Sequence, residues 1–532
     1  KDVKRNTKII ITFKTAVNPA SFVTNTNNNC WPIDLNDNTP VQIDETGSLC
    51  RRNTQGQIIP YLGDCVNTGS SSFSWENDCD RLVTSTIEIF PTKFTSSSDR
   101  GLAAAALVTY DVNRNVYTTV LRPLRALGDD LEDIKYAVRI NNTLQRANEA
   151  VGVFTGLRST YYQWNFTTGR EFDIVPPHVV DVYPKDETVS RNTVLQINFS
   201  EAMDPMTVSG IMNSSTGVFN NLILKNGKAV GEWQLSNGYR TVELMPSIPC
   251  GLNSCGQNMY CLPTDCSTSD TTCTSSYTGL ARTARLFTNN SFDAVPFTGI
   301  ADVAGNALDG NNDNSPQDKP AVPEDLWTVS QGELVADNFS WNFVVENSID
   351  RRAPYVREVA PALDGEDVVE NATTTISFSQ RMYNNSFSSI VLREFASSTR
   401  QLTDDIWFYP SSNLVHLYDD ATTTFTNIFH REYGPNNIKD FYYFVSVDSQ
   451  VKSLNQNCMY PGRGPYTNIK DVSPVCTVVL DSEGRYISDE NCVDVSIASS
   501  TDTGCMQTSD GAIAQPDVDT CVTHMRNVSV FR

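Results

Sequence analysis

Three segments of this chain are variants of one another. Asn192–Asp204 reads N-T-V-L-Q-I-N-F-S-E-A-M-D, Asn6–Asn18 reads N-T-K-I-I-I-T-F-K-T-A-V-N, and Asn371–Tyr383 reads N-A-T-T-T-I-S-F-S-Q-R-M-Y. In Asn192–Asp204, Leu195, Ile197 and Phe199 alternate with Gln196, Asn198 and Ser200. A period of two is that of a strand with one buried face. Phe13, Phe199 and Phe378 occupy equivalent places, so the spacing is 186 (199 − 13) and then 179 (378 − 199). A repeat of that length is a whole domain rather than a solenoid unit. The expected fold is therefore all-β, with three tandem copies of one domain in residues 1–175, 176–350 and 351–532.

Other landmarks share the period. A Pro-led strand precedes the marker in Pro176–Asp186 and in Ala353–Asp364, where Pro177 and Pro354 hold equivalent places. The first copy opens without it, which predicts a strand supplied by another chain or by a longer version of this one. A strand ending in Pro follows the marker at Thr118–Pro123 and Thr241–Pro246, with Asn413–Tyr418 as a looser third version. Tyr136, Tyr260 and Tyr443 each lead a further strand. Closing strands are expected at Trp164–Thr168, Trp341–Val345 and Asn527–Phe531. Links containing Pro at Asp173–Pro177 and Ser348–Pro354 are stiff, and predict an end-to-end rod.

Between landmarks the spacings diverge. Phe13 to Pro123 is a step of 110 (123 − 13) but Phe199 to Pro246 only 47 (246 − 199), so the first copy carries 63 extra (110 − 47). Pro123 to Trp164 is 41 and Pro246 to Trp341 is 95, leaving 54 extra (95 − 41) in the second. The inserts are read at about 23–82, 250–300 and 455–522. The cysteines track them: Cys30, Cys50, Cys65 and Cys79; Cys250, Cys255, Cys261, Cys266 and Cys273; Cys458, Cys476, Cys492, Cys505 and Cys521. What remains is about 110 residues per copy, the size of an Ig-like β-sandwich. A sandwich buries its own core, whereas loop inserts gain most from disulfide staples. Pairing within each insert is expected, with one cysteine left over in each of the second and third. Those two are free, joined across copies, or bonded to another chain.

Taken together, these strands resemble the bacterial Ig-like domain first recognised in S-layer proteins, the SbsA type. The second copy carries the resemblance nearly throughout: Phe199-Ser200-Glu201-Ala202-Met203-Asp204, then Asp302-Val303-Ala304-Gly305-Asn306, then Trp341–Phe343. The third keeps Phe378-Ser379-Gln380-Arg381-Met382 and lacks D-x-A-G-N. The first has Phe13 and Val17-Asn18-Pro19 and lacks both D-x-A-G-N and the opening strand. The resemblance implies three tandem Ig-like β-sandwiches with Cys-stapled loop insertions. It also implies the extracellular settings of that family, namely S-layers, adhesins and secreted spacers.

Composition narrows the function. Asp+Glu number 62 against 40 Lys+Arg, for a net charge of −22. Such acidity opposes phosphate and excludes nucleic acid as the expected partner. No run approaches the ~20 apolar residues of a membrane span. The N-terminal K-D-V-K-R-N has no apolar stretch of a signal peptide, so the chain reads as mature or as a fragment. Fourteen cysteines without a C-x-x-C pair, and only His178, His416, His430 and His524, do not make a zinc site. They point to disulfides in an oxidising, extracytoplasmic place.

No G-x-S-x-G, H-E-x-x-H, P-loop or G-x-G-x-x-G is present, and a non-enzyme without a cofactor is expected. Asp309-Gly310-Asn311-Asn312-Asp313 offers oxygens at Asp309, Asn311 and Asp313, the alternate spacing of calcium loops. It lacks that loop's Gly at position 6 and Glu at position 12, and an Asx-rich turn is the plainer reading. Nine sequons, at Asn141, Asn165, Asn198, Asn213, Asn289, Asn338, Asn371, Asn384 and Asn527, equal the number expected by chance. Asn198 is expected to point outward. Two functions fit: a self-assembling surface-layer, sheath or filament subunit whose copies join head to tail, with strand donation as one route, or the stalk of an adhesin that meets cell-surface proteins or glycans. For donation, Cys476–Asp481, Val493–Ala498 and Asn527–Arg532 are the candidate strands.

Overall fold

A computed structural model describes residues 3–13, 16–24, 79–93, 101–111, 116–147, 151–157, 159–209, 221–225, 231–253, 255–264, 273–281, 299–312, 338–361, 368, 372–396, 402–405, 408–417, 420–429, 441–459, 477–480, 486–490 and 527–531. The chain forms two compact units. One comprises Lys1–Val180, Phe199–Ile223 and Gly279–Ser340; the other comprises Asp181–Asn198, Leu224–Thr278 and Trp341–Arg532.

In the first unit, the marker strand Ile9–Thr12 lies at the edge of a five-stranded sheet. Val116–Pro123, Ala104–Asp111, Arg81–Leu82 and Val23–Thr24 follow in order. A three-stranded sheet of Ile87–Pro91, Ile134–Asn141 and Tyr161–Thr168 accompanies it. Period-two side chains of both sheets meet in one apolar core, with Ile9, Ile11 and Leu121 from the first and Ile87, Ile89 and Val138 from the second. That is an Ig-like sandwich.

Four four-stranded sheets follow along the chain. Marker strand Leu195–Phe199 lies between Thr241–Pro246 and Val179–Tyr183. Thr374–Phe378 lies between Asp420–Phe429 and Val356–Ala360. Strand Ile9–Thr12 has only its Pro-ended partner; among the described residues nothing pairs along its other side. Closing strands Phe339–Glu346 and Asn527–Phe531 pair with Thr274–Ala281 and Phe441–Val447 respectively.

Register repeats as well as order. Ile9 stands opposite Leu121, and Leu195 opposite Leu244. Val3 bridges Thr168 in parallel, as Val189 does Val345. Val17, Met203 and Met382, each four places after its marker Phe, bridge Arg146, Asp302 and Ser453.

Several landmarks move. Asn413–Tyr418 is not the marker's neighbour. Thr374–Phe378 pairs instead with Asp420–Phe429, Ile376 opposite Phe425, and both side chains are buried. Apolar alternation in Asn413–Tyr418 reflects the outer strand of the hairpin Phe408–Leu417 with Asp420–Phe429. Tyr260 is not the partner of the second closing strand either. Strand Asn258–Cys261 forms a two-stranded hairpin with Ile248–Leu252, tied by Cys250–Cys261. Tyr277 stacks on Phe343 at 5.2 Å, as Tyr136 stacks on Phe166 at 5.6 Å. The stretch read as an insert at 250–300 therefore contains a sandwich strand.

Candidate functional site: a recurring asparagine clamp

The most heavily bonded polar groups with recurrent geometry gather around two asparagines, one in each unit. Asn6 and Asn192 both stand seven places before their marker Phe, in the tripeptide R-N-T. In the first unit, Asn6 Nδ2 donates to the Asp173 carbonyl at 2.8 Å, and Asp173 N–H donates back to Asn6 Oδ1 at 2.7 Å. The same Nδ2 reaches the Ala304 carbonyl at 3.3 Å. Asn306 Nδ2 closes the ring on the Asp173 carbonyl at 3.3 Å, and Lys8 N–H donates to the Val303 carbonyl at 3.0 Å.

The second unit repeats this bond by bond. Asn192 Nδ2 donates to the Asp350 carbonyl at 2.7 Å and the Asn455 carbonyl at 2.6 Å; Asp350 N–H returns to Asn192 Oδ1 at 2.9 Å. Asn457 Nδ2 reaches the Asp350 carbonyl at 2.9 Å, and Val194 N–H donates to the Leu454 carbonyl at 2.7 Å. The preceding arginines repeat too. Arg5 Nε donates to the Leu127 carbonyl and Arg191 Nε to that of Leu262, while both leucine N–H groups donate to the arginine carbonyls. Only a side-chain amide offers donor and acceptor in the fork this ring needs.

The loop that each clamp grips also recurs. Asp302 Oδ1 accepts from the N–H groups of Ala304, Gly305 and Asn306, and Oδ2 from Asn306 Nδ2. Gly305 supplies the left-handed turn at φ 98°. In the other unit Ser453-Leu454-Asn455-Gln456-Asn457 takes this place. Ser453 Oγ accepts from Asn457 N–H, and Gln456 adopts φ 63°. Ser453–Asn457 lacks the letters D-x-A-G-N but keeps the turn.

Around the clamps the packing differs. In the first unit, Lys8 Nζ meets Asp204 Oδ2 at 2.5 Å, with both side chains buried. Ile10, Val120 and Met206 pack nearby in a small apolar cluster. In the second unit, the positions of Ile10 and Val120 hold Gln196 and Glu243, also opposite one another. Glu243 is fully buried and accepts from Asn384 N–H, Asn385 N–H, Asn385 Nδ2, Gln196 Nε2 and Ser236 Oγ. Burial nevertheless pushes its carboxyl up from the ordinary value. Arg381 pairs with Asp181 at 2.8 Å and lies over the Tyr183 ring; burial pushes the Tyr183 hydroxyl up to about 12.

Carboxylates of Asp173, Glu201 and Asp302 lie with one oxygen each within 4.8 Å of one another. Burial raises the Asp302 pKa. Such oxygens are the donor set of a hard divalent cation. Of the sequence-predicted ligands Asp309, Asn311 and Asp313, two are described. Asp309 is turned inward, 1% exposed, with its N–H on the Pro177 carbonyl; Asn311 is exposed, and Asp313 lies outside the described residues.

Two disulfides are described. Cys250–Cys261 is local, but Cys255–Cys458 joins the second insert to the residue directly after Asn457. Cys255 and Cys458, from the stretches read as the second and third inserts, are thereby joined to one another rather than each within its own stretch. Cys79 and Cys273 are also disulfide-bonded. Cys30, Cys50, Cys65, Cys266, Cys476, Cys492, Cys505 and Cys521 lie outside the described residues. Asn198 does not point free into solvent: it is half-buried, accepting from Thr241 Oγ1 at 2.7 Å. Asn165 is exposed, Asn141 and Asn338 are half-buried, and Asn384 is buried. Asn213, Asn289 and Asn371 lie outside the described residues, and Asn527 begins the last strand.

No family model matches this sequence, and no curated protein does. Among solved structures, the N-terminal eight Ig domains of Down syndrome cell adhesion molecule match at 8% identity, covering 69% of this chain and 35% of that one, with a TM-score of 0.13. The chain thus spans about a third of the length of that structure. Protocadherin gamma B2 extracellular cadherin domains 1–5 match at 8% identity over 68% of this chain and 49% of that one, TM-score 0.13. Surface layer protein SbsC, domains 1–6, matches at 8% identity over 77% and 56%, TM-score 0.13. At these scores the likenesses add nothing to the strand pairing already described.

Proposed function

We propose that this chain is an extracellular structural protein of three tandem Ig-like domains of the S-layer type, which assembles with copies of itself at a cell surface. The observation that carries the reading is the clamp. Two sites, at Asn6 and at Asn192, use the same asparagine, the same carbonyl acceptors and the same turn. Fixed geometry repeated in each unit serves a protein whose work is to hold shape. Disulfides suit an oxidising exterior. No described helix is long and apolar enough to cross a membrane.

The outer side of Ile9–Thr12, along which no described strand lies, is the proposed place for strand addition, since the edge of a sheet exposes a row of N–H and C=O groups. Asn527–Arg532 is not the donor. Its strand pairs over its full length with Phe441–Val447 of the same chain, so donating it would unzip its own sheet. Thr477–Leu480 forms a hairpin with Tyr486–Glu490, and Val493–Ala498 lies outside the described residues. Electron microscopy of the purified protein tests the reading: sheets or filaments are expected, and monodisperse single particles at every concentration overturn it.

A further inference from the structure

We propose that Lys8 and Asp204 become joined by an amide bond from Nζ to Cγ, an intramolecular cross-link that locks the clamp of the first unit. The bond lies within one chain and needs no second copy. Lys8 Nζ donates to Asp204 Oδ2 at 2.5 Å, across 196 residues of sequence. Only 7% of the lysine side chain and 2% of the aspartate side chain reach solvent. Exposure decides between two fates of such a pair. Lys4 and Glu171 meet at the same 2.5 Å, but 41% and 78% of their side chains are exposed, so water solvates both charges and the pair stays ionic. Around Lys8 and Asp204, burial penalises charge and withholds the water that hydrolyses an amide.

The backbone holds both partners on one short stretch. Lys8 N–H donates to the Val303 carbonyl and Asp204 N–H to the Ala301 carbonyl, on either side of buried Asp302. Reacting groups fixed in this way need little further ordering to meet. Asp204 Oδ1 accepts from Met206 N–H at 2.9 Å, and the half-buried Arg122 guanidinium lies close enough to feel the Asp204 charge. Both favour negative charge on Oδ1 while Nζ adds to Cγ. The Nζ–Cγ bond forms and the Cγ–Oδ2 bond breaks. Two protons pass from the Lys8 ammonium to Oδ2, which leaves as water, and the third stays on the amide nitrogen. One cation and one anion are consumed together, so the chain stays at −22.

Counterparts of Lys8 and Asp204 in the second unit are Val194 and Tyr383, which cannot form the bond. There the clamp is stapled otherwise: Cys458, directly after Asn457, is joined to Cys255. Each clamp thus has a covalent tie beside it, a disulfide in one unit and an amide in the other.

Trypsin digestion of the native full-length protein, read by mass spectrometry, tests the bond. Neither segment concerned contains cysteine, so no disulfide can mimic the product. The expected product is one branched peptide, Asn6–Lys14 joined to Asn192–Lys225 and lighter than their sum by one water, because an acylated Lys8 is not cut. Lys8→Arg keeps the cation but offers no amine, and its digest should contain Asn192–Lys225 in linear form only. Should that variant fail to fold, the native digest alone decides. Recovery of Asn6–Lys8, Ile9–Lys14 and linear Asn192–Lys225 from the native protein, with no branched peptide, leaves an ion pair only and overturns the cross-link.

Discussion

At the residue scale, one carboxylate has chemistry that can be read in solution. Glu243 has no solvent exposure, and five donors compensate its charge only in part, so burial keeps its pKa above the ordinary 4.5. The folded state then binds the proton more tightly than the unfolded chain. Its contribution to stability is fully present below 4.5 and is lost as pH rises through the folded-state value. Glu243→Gln keeps size and removes the titration. Denaturant midpoints should show wild type losing stability relative to the variant as pH rises above the ordinary glutamate value. A flat or rising difference across that window would refute the assignment.

At the scale of elements, the two described disulfides hold loops of different length and should differ in worth. Cys250 and Cys261 are 11 residues apart, Cys255 and Cys458 are 203. Loop-closure entropy predicts about 2–3 kcal/mol for the short bridge and about 5 kcal/mol as an upper figure for the long one. Paired Cys→Ser variants, compared by urea unfolding, should show the long bridge costing more; equal losses would count against it. The long bridge was half legible, because counts of five left one cysteine over in each of two inserts. Strand pairing was legible wherever alternation met a marker, as at Ile9–Thr12 and Leu195–Phe199. It failed where a hairpin imitated the pattern: Asn258–Cys261 has a Tyr-led strand's letters but belongs to the disulfide hairpin, and Tyr277 does the sandwich packing. R-N-T stood twice in the sequence, yet its role was not readable. Asn6 meets partners 167 and 298 residues away, and most of them are backbone carbonyls, which leave no mark in the letters.

On the scale of the whole molecule, charge opposes the proposed assembly of copies. A net charge of −22 makes copies repel. Screening lengths shrink from about 20–30 Å near 0.01–0.02 M salt to about 7 Å near 0.2 M, so native association should strengthen over that range. Light scattering at the two salt levels checks this; weakening with salt would mean that attraction between opposite charges governs the contact. The clamp itself is largely indifferent to such surface variation. Its grip falls on main-chain carbonyls, one asparagine and a turn that accepts Asp-x-Ala-Gly-Asn or Ser-Leu-Asn-Gln-Asn alike. Core packing beside it has changed from apolar to carboxylate without altering the bonds. A grip specified this way tolerates change in the letters around it: substitutions that keep the asparagine, the main-chain carbonyls and the turn leave every one of its bonds in place.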